Sequence, residues 1–209
     1  MAKGRVIVPD SAMHVICRGN NKQHIFITDE DKLYYYGLLK RFVNNNYIAI
    51  FHYCIMNNHV HLITWINRYA NLSKFMLQTN LSYFKYYKRR YGYCGHLWQG
   101  RFKSNNIDND AYLLQCGKYI ELNPVRSKMT ELPEDYRFSS YRYYAGTLND
   151  PLLTPNPAYL ALADSRAKCQ DIYAHFVIDR RPVFKKESVS QIKERKKENV
   201  SHLRNVLRA

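Results

Sequence analysis

Residues 47–65, YIAIFHYCIMNNHVHLITW, decide the fold, because they contain two β-rich runs separated by two asparagines. Tyr47–Met56 and His59–Trp65 are rich in β-branched and aromatic residues, which predicts two strands. Asn57 and Asn58 predict a two-residue hairpin turn, since asparagine tolerates the positive φ angles that such turns require. The strands are therefore antiparallel neighbours, which argues against a purely parallel sheet.

Segments with helical spacing lie on both sides of this hairpin. Thr28, followed by Asp31 three residues later, is typical of a helix N-terminus. Asn123 and Pro124 are expected to end the last helix, because the residue before proline avoids the α region. The predicted order is a strand at 12–17, a helix after Thr28, the hairpin, a helix from Asn71 or Ser73, an extended segment at 98–103, and a helix capped by Asp108 or Asn109. This order predicts an α+β fold with helices packed on an antiparallel sheet.

The C-terminal part of the chain has a different composition. Pro151, Pro155 and Pro157 mark a boundary, so we predict one domain over residues 1–150 and an extension over residues 151–209. From Arg180 onward there are ten basic and three acidic residues. We therefore expect the extension to end in a basic, partly helical tail.

The charge balance of the whole chain is strongly basic. Its 209 residues include 32 Lys and Arg against 17 Asp and Glu, a formal net charge of +15. Such a surface favours a polyanionic partner, because neutralising phosphates releases their condensed counterions. Hydrophobic residues make up 46% of the chain, enough for a packed core. No apolar run approaches the ~18 residues of a membrane span. Nucleic acid is therefore the expected partner, and we expect no membrane contact.

Cysteine usage and the N-terminus bear on the compartment. The chain has five cysteines, an odd number without a CxxC pair, which fits a reducing cytosol better than a disulfide framework. The segment after Met1–Arg5 is too short and too quickly broken by Pro9 for a signal peptide. We therefore expect a cytoplasmic protein.

His59-Val60-His61, on the second hairpin strand, is the first candidate site. Side chains two apart on a strand point to the same face, so both imidazoles project together and could bind one cation. Val60 points the other way, toward a core. A short triplet of this kind also arises by chance, which leaves two polar histidines on a half-exposed strand as the alternative.

The two-residue turn also fixes the cross-strand pairs of the hairpin. We expect Met56 to pair with His59, Cys54 with His61, and His52 with Ile63. This register raises a second hypothesis, since zinc favours nitrogen and sulfur ligands. The hypothesis is a zinc site built from His52, Cys54, His59 and His61, although four ligands on one flat face would need strong curvature.

Tyr119 and Asn123 are the second candidate site, because residues four apart share one face of a helix. If that face meets the histidine pair, Asn123 can supply an oxygen ligand and Tyr119 lies beside the cation. A phenolate can attack a phosphodiester and leave again, so the covalent step is reversible. A cation would lower the phenol pKa of about 10 and polarise the phosphate. Tyr112, with Cys116 between it and Tyr119, is the alternative nucleophile.

Longer motifs resemble those of a known family. They are MNNHVHLI from Met56, WQGRFKS from Trp98, AYLL from Ala111, KYIELNPVR from Lys118, HVICRGN from His14 and FSSY from Phe138. Taken in their order along the chain, over about Met13 to Tyr159, these motifs resemble the bacterial REP-associated tyrosine transposases of the single-tyrosine HUH group. The resemblance implies a ferredoxin-like or RRM-like sheet. By position it implies His59 and His61 as metal ligands, Tyr119 as the nucleophile and Asn123 as the third, polar ligand.

The resemblance also implies an activity and its partners. Members of the family use Mg²⁺ or Mn²⁺, whereas imidazole ligands alone would favour a transition metal. The implied enzyme cleaves and rejoins single-stranded DNA through a 5′-phosphotyrosine intermediate and acts in DNA transposition. Its substrates are imperfect palindromes that fold as hairpins, which also suggests association with the nucleoid. The sequence leaves monomer and homodimer open.

Several side chains are candidates for contacts with DNA. Arg101, Lys103, Arg126 and the basic tail could hold phosphates. Trp98 or Phe102 could stack on splayed bases, with core packing as the alternative for both. A non-catalytic or zinc-stabilised nucleic-acid-binding module is the alternative function, and metal-dependent cleavage would discriminate between the two.

Overall fold

The computed structural model describes residues 7–178, and the statements on structure concern this part of the chain. Four strands form one sheet with the order β2-β3-β1-β4, in which every neighbouring pair is antiparallel. Their bounds are β1 Ser11–Arg18, β2 Ile48–Ile55, β3 His59–Ile66 and β4 Lys103–Ile107. Strand β1 thus lies between β3 and β4, although β3 is more than 40 residues away in the chain.

Helices cover both faces of this sheet. Their bounds are α1 Asp29–Val43, α2 Leu72–Tyr91, α3 Asp110–Glu121, α4 Asn123–Arg126, α5 Tyr141–Tyr144, α6 Pro157–Leu160 and α7 Arg166–Ile178. Helices α1 and α2 pack on each other, while α3 contacts β2, β3 and β4. The order β1-α1-β2-β3-α2-β4 with this strand arrangement is ferredoxin-like. The predicted antiparallel α+β fold is therefore confirmed.

Alternation along the strands assigns each side chain to one face. Cys17 on β1 contacts the Tyr35 hydroxyl of α1 (Sγ···Oη 3.4 Å), which puts Met13, Val15 and Cys17 on the face of α1 and α2. His14 and Ile16 therefore point to the opposite face. We call it the α3 face, because α3 covers it.

The hairpin has the register expected from its two-asparagine turn. Cys54 pairs with His61 and His52 with Ile63, and the Met56 amide donates to the His59 carbonyl at 2.8 Å. Between Ile50 and His52 an irregularity changes the pairing register of β2 with β3 by one residue, so the pairs at the start of β2 follow a different register from those near the turn. The predicted hairpin is confirmed, and it carries His59 and His61 on the α3 face.

The helix N-termini are capped by the expected kind of residue. The Thr28 amide donates to Asp31 Oδ2 at 2.9 Å at the start of α1. Asn71 Oδ1 accepts from the amide of Lys74 at 2.8 Å, so α2 begins at Asn71 and not at Ser73. For α3 the cap is Asn109, whose Oδ1 accepts from the Tyr112 amide at 2.9 Å.

Two boundaries differ from the sequence-based expectation. The segment from Trp98 makes one isolated pairing, with Gly19, and strand β4 begins only at Lys103. Gly100 adopts φ 68° between them, a left-handed conformation that interrupts an extended chain. After α3 the chain forms another helical turn, α4, instead of leaving the helix. Pro124 fits there because the first turn of a helix needs no amide hydrogen at that position.

Residues after Pro151 pack against the sheet as far as they are described. The Thr154 amide donates to the Ile50 carbonyl at 2.9 Å, and Tyr159 and Tyr173 are buried. The domain boundary at residue 150 stays a prediction, and the basic tail from Arg180 lies outside the described residues. Between residues 7 and 178, none of the helices combines the length and apolarity needed to cross a bilayer.

Candidate active site

Three imidazoles meet on the α3 face, and we call His14, His59 and His61 the histidine cluster. The rings of His59 and His61 have centroids 4.8 Å apart, as the shared strand face predicts. His14 lies on the neighbouring strand and stacks on His61, with ring centroids 5.2 Å apart. The sequence motif identified His59 and His61, but His14 was not expected at the site.

Burial keeps the histidine cluster neutral. It lowers the pKa of His14 to about 4 and, with help from the nearby Arg18 charge, that of His59 to about 4 as well. Burial, followed by the effect of the two neighbouring imidazoles, lowers the pKa of His61 to about 2. At neutral pH all three rings therefore present lone pairs, which is the form that binds a cation.

Tyr119 stands over this cluster from helix α3. Its ring centroid is 6.1 Å from that of His61 and 6.4 Å from that of His14, edge-on to both. The side chain is 47% exposed, so a substrate can reach the phenol. Arg126 contacts the same residue twice, with Nη1 donating to the Tyr119 carbonyl at 2.9 Å and its guanidinium 4.8 Å from the ring centroid.

Tyr112, the alternative nucleophile, occupies a different environment. It is also exposed, but the neighbouring Cys116 raises the pKa of its phenol, which disfavours the reactive phenolate. Within the described residues, only Tyr119 of these two tyrosines makes ring contacts with the histidine cluster. The geometry thus favours Tyr119.

Asn123 lies one helical turn after Tyr119. Its Nδ2 donates to the carbonyls of Tyr119 and Ile120, both at 3.2 Å, which closes the C-terminal end of α3. In residues 7–178 its Oδ1 makes no hydrogen bond. Asn123 therefore has an oxygen ligand to offer, while its amide nitrogen ties it to the backbone of the proposed nucleophile.

The alternative zinc site is not assembled in the described part of the chain. His52 Nδ1 lies 2.9 Å from Glu121 Oε1, and its Nε2 lies 3.0 Å from Asn156 Nδ2, so both ring nitrogens are engaged. Cys54 Sγ contacts Met56 Sδ at 3.5 Å. No group of three or more His, Cys, Asp and Glu side chains in residues 7–178 is arranged to hold a metal ion. A cation at the histidine cluster would thus need an oxygen donor of another kind.

The residues present fit such a cation. His59 and His61 each engage Nδ1 in a hydrogen bond within the chain, and neither Nε2 is hydrogen-bonded within the described residues. Two neutral imidazoles and one amide oxygen form a mixed donor set that divalent ions accept. His59, His61 and Asn123 therefore remain the predicted ligands.

A buried polar network, which sequence reasoning missed, fixes helix α3 on the sheet. Glu121 accepts hydrogen bonds from His52 Nδ1 (2.9 Å), Ser140 Oγ (2.6 Å) and Tyr173 Oη (2.8 Å). Asn156 donates to His52 Nε2, which places the imidazole proton on Nδ1, facing the carboxylate. We call these five residues the anchor network. They come from five separate segments, so no local pattern could have revealed that these side chains meet.

Gly117 allows α3 to approach the anchor network closely. A Cβ at this position would lie 2.7 Å from His52 Cε1 and 2.9 Å from His52 Nε2, well inside van der Waals contact. Only glycine fits between the helix backbone and this ring. Tyr119, two residues further along, is therefore positioned by a helix that packs closely on the His52 ring.

The predicted DNA contacts divide into exposed and packed residues. Lys103 is exposed on β4 and pairs with Ile16, which in turn pairs with His61, so it borders the histidine cluster on the α3 face. Arg101 is exposed in the loop before it. Trp98 is half-buried and its indole donates to the Asn80 carbonyl at 3.0 Å, while Phe102 is buried. Packing thus accounts for both aromatic residues, and stacking of Trp98 on bases stays a prediction.

Comparisons with known proteins give the family and the fold of the chain. The family model described as IS200-like transposase matches residues 7–123. The fold is similar to that of a REP-associated tyrosine transposase bound to a REP hairpin, with a TM-score of 0.59 and 15% identity over 75% of this chain and 99% of that chain. A Deinococcus radiodurans protein proposed to be a transposase gives a TM-score of 0.40 at 15% identity, over 65% of this chain and 98% of that one. Among curated proteins, none matches the chain.

The family match covers more than half of the chain, including the hairpin, β1, β4 and helix α3 with Tyr119. The structural likeness extends the shared fold to most of the part that the structure describes. With the fold of a REP-associated tyrosine transposase, the chain belongs to the family of IS200-like transposases.

Proposed function

We propose that this transposase cleaves and rejoins single-stranded, hairpin-forming DNA through a covalent bond to Tyr119. The observation that carries the proposal is the exposed Tyr119 phenol standing edge-on over His61 and His14, with ring centroids 6.1 Å and 6.4 Å away. A lone tyrosine on a helix is not reactive. One that is accessible to a substrate and faces neutral imidazoles able to hold a cation is suited to attack a phosphodiester.

In the proposed reaction the Tyr119 phenol oxygen attacks the scissile phosphorus. The new oxygen–phosphorus bond forms as the bond to the 3′ oxygen breaks, which leaves a 5′-phosphotyrosine and a free 3′-OH. The phenol proton leaves with solvent, and the departing 3′ oxygen takes up a proton. When another 3′-OH attacks the phosphotyrosine, the phenol is released and the strands are joined. No energy-rich cofactor is needed, because each phosphodiester is exchanged for a similar bond.

His59 and His61 would hold a divalent cation, Mg²⁺ or Mn²⁺, through their Nε2 atoms, together with Asn123 Oδ1. When bound, such a cation neutralises charge on the scissile phosphate and lowers the pKa of a nearby phenol. Arg126 keeps the Tyr119 ring in place through its carbonyl hydrogen bond and its stacked guanidinium. The contact of Asn123 Nδ2 with the Tyr119 carbonyl links the third ligand to the nucleophile.

The proposed substrate is single-stranded DNA that folds into palindromic hairpins. The structural neighbour described above is bound to a REP hairpin, and this chain shares its fold. The net charge of +15 supports a DNA partner. We assign phosphate contacts to Arg101, Lys103 and Arg126, and base stacking to the half-buried Trp98. A cytoplasmic, nucleoid-associated location goes with this activity, while monomer and homodimer are both compatible with it.

A covalent-adduct assay tests the nucleophile. The full chain is incubated with a hairpin oligonucleotide labelled at its 3′ end, with Mg²⁺ or with a chelator, and separated on a denaturing gel. The label must be at the 3′ end because the downstream fragment keeps the 5′ phosphate. We expect a Mg²⁺-dependent adduct that is absent in Tyr119→Phe and present in Tyr112→Phe. An adduct that survives Tyr119→Phe and disappears in Tyr112→Phe would refute the assignment.

A second variant separates catalysis from binding and folding. His59→Ala should abolish adduct formation yet keep most of the affinity for the same oligonucleotide, because the phosphate contacts are assigned to other side chains. Loss of folding instead would point to a structural role for His59. If the wild-type chain binds the hairpin but forms no adduct with any divalent ion, a non-catalytic nucleic-acid-binding module describes the protein better.

A further inference from the structure

The third imidazole of the cluster, His14, has no role in the reaction as described. It lies on β1, where its neighbour Ile16 is the strand partner of His61, so His14 and His61 are diagonal neighbours on one face. His14 Nε2 is 2.9 Å from His61 Nδ1, and the two rings stack at an interplanar angle of 28°. The contact is therefore specific in both atom and orientation.

His59 shows the same arrangement with a different partner. Its Nδ1 is 2.5 Å from Asn58 Oδ1, an atom that can only accept a hydrogen bond. His59 Nδ1 must therefore carry the proton, which leaves the lone pair on Nε2. In both proposed ligands Nδ1 is thus engaged within the chain, whereas Nε2 has no hydrogen-bond partner in residues 7–178.

We propose that His14 is a positioning residue that orients His61 and fixes its tautomer. It accepts a hydrogen bond at Nε2 from the protonated Nδ1 of His61, so that the His61 lone pair stays on Nε2, ready for a cation. This inference rests on the proposed function, because it assigns the support of that same cation site. Metal-binding histidines generally donate their second ring nitrogen to an acceptor, most often a carboxylate, a backbone carbonyl or water, and losing that acceptor weakens metal affinity by about 10–100-fold.

The position of His14 in the sheet suits this role. It stands on the central strand β1, between β3 and β4, so its backbone is held by hydrogen bonds on both sides. Its ring also meets the edge of Tyr119, at 6.4 Å and 71°. The His14 side chain thus contacts both a proposed ligand, His61, and the proposed nucleophile, Tyr119, and it can set the position of one relative to the other.

Binding of Mn²⁺ provides a test without DNA. Electron paramagnetic resonance is used to titrate free Mn²⁺ against the full chain and three variants. His14→Phe keeps the ring volume but removes the acceptor, and we expect affinity to fall about 10–100-fold. His14→Gln offers a carbonyl acceptor and should recover most of the affinity. His24→Gln, which changes an exposed histidine, is the matched control and should bind as the wild type does.

Counting the bound nitrogens separates positioning from direct ligation. Pulsed measurements on Mn²⁺-saturated protein should give the same number of directly bound imidazole nitrogens in wild type and His14→Phe. Loss of one nitrogen would make His14 a ligand and overturn the proposal, as would unchanged Mn²⁺ affinity in His14→Phe. If the wild type shows no imidazole-bound Mn²⁺, the proposed cation site fails, and the inference about His14 fails with it.

A measurement on the unmodified chain covers the case in which His14→Phe does not fold. Two-bond nitrogen–proton NMR correlations report which ring nitrogen of each histidine carries the proton. We expect His61 to be protonated at Nδ1 and His14 to be unprotonated at Nε2 in the metal-free protein. A His61 ring protonated at Nε2 would refute the orientation that the proposal requires.

Discussion

Gly117→Ala adds only one methyl group but should slow the reaction strongly. The added Cβ would lie 2.7 Å from His52 Cε1, about 1 Å closer than carbon atoms normally approach each other. The ring cannot turn aside, because Glu121 and Asn156 engage both of its nitrogens. Helix α3 must therefore withdraw by about 1 Å and carry Tyr119 with it. A displacement of that size costs roughly 10²-fold in rate when it separates reacting groups.

Gly37→Ala is the matched control for the effect of Gly117→Ala on stability. Gly37 lies inside α1, and a Cβ there would meet nothing within 4 Å. Both changes gain about 1 kcal/mol from the better helix propensity of alanine. Only Gly117→Ala adds overpacking, which typically costs about 1–3 kcal/mol. Gly117→Ala should therefore be less stable than Gly37→Ala by about 1–3 kcal/mol.

Urea unfolding and the covalent-adduct assay measure the two effects separately. We expect Gly37→Ala to be slightly stabilised and fully active, and Gly117→Ala to stay folded at low temperature with a roughly 10²-fold slower adduct formation. If Gly117→Ala matched Gly37→Ala in both stability and adduct rate, α3 would not be held tightly by His52. The argument that the anchor network positions Tyr119 would then be wrong.

Three further changes test the anchor network, the basic surface and the histidine cluster. Glu121→Ala should lower the free energy of unfolding by about 3–5 kcal/mol in urea titrations, because it leaves the buried His52 and Tyr173 donors unpaired. Lys103→Ala should weaken binding of single-stranded DNA and reduce the slope of log affinity against log salt concentration by about 0.7, whereas Lys40→Ala on α1 should not. Acidification should destabilise the protein, because the cluster stays neutral in the fold down to about pH 4 but protonates near pH 6.5 when unfolded. Each histidine whose pKa falls to about 4 costs no stability above pH 6.5 and up to about 3 kcal/mol of unfolding free energy as the pH drops to 4, so His14→Phe should lose less stability on acidification than the wild type does.

The hairpin and its histidines could be predicted because their geometry is local. Two asparagines set the turn, and the two-residue period of a strand then fixes which side chains share a face. The caps Asn71 and Asn109 could be proposed for the same reason, since each bonds an amide only three residues ahead. The four-residue spacing of Tyr119 and Asn123 suggested a shared helix face, and the family motifs then favoured this tyrosine over the other 18.

His14 could not be predicted, because its role depends on which strand lies beside β3. Strand β1 could have paired elsewhere, and only the completed sheet brings His14 within 2.9 Å of His61, 47 residues away. The same limit explains why His52 looked like a zinc ligand. On the hairpin alone it shares a face with His61. In the folded chain, however, its Nδ1 is hydrogen-bonded to Glu121, which is 69 residues away in the sequence. Local patterns give the face of a side chain, and tertiary packing decides its partner.

Helix α3 therefore has a buried side that anchors it to the sheet and a side that carries the proposed nucleophile. Gly117 packs on the anchor network and Glu121 belongs to it, and both are buried, while Tyr119, between them in sequence, contacts the histidine cluster and is 47% exposed. Because a helix turn is stiff, a substitution that displaces the buried side of α3 also displaces the Tyr119 side chain. Changes at Tyr119 should remove the reaction and leave stability intact, whereas changes at Glu121 should affect both. A variant of α3 that loses stability without losing its rate of adduct formation would contradict this division.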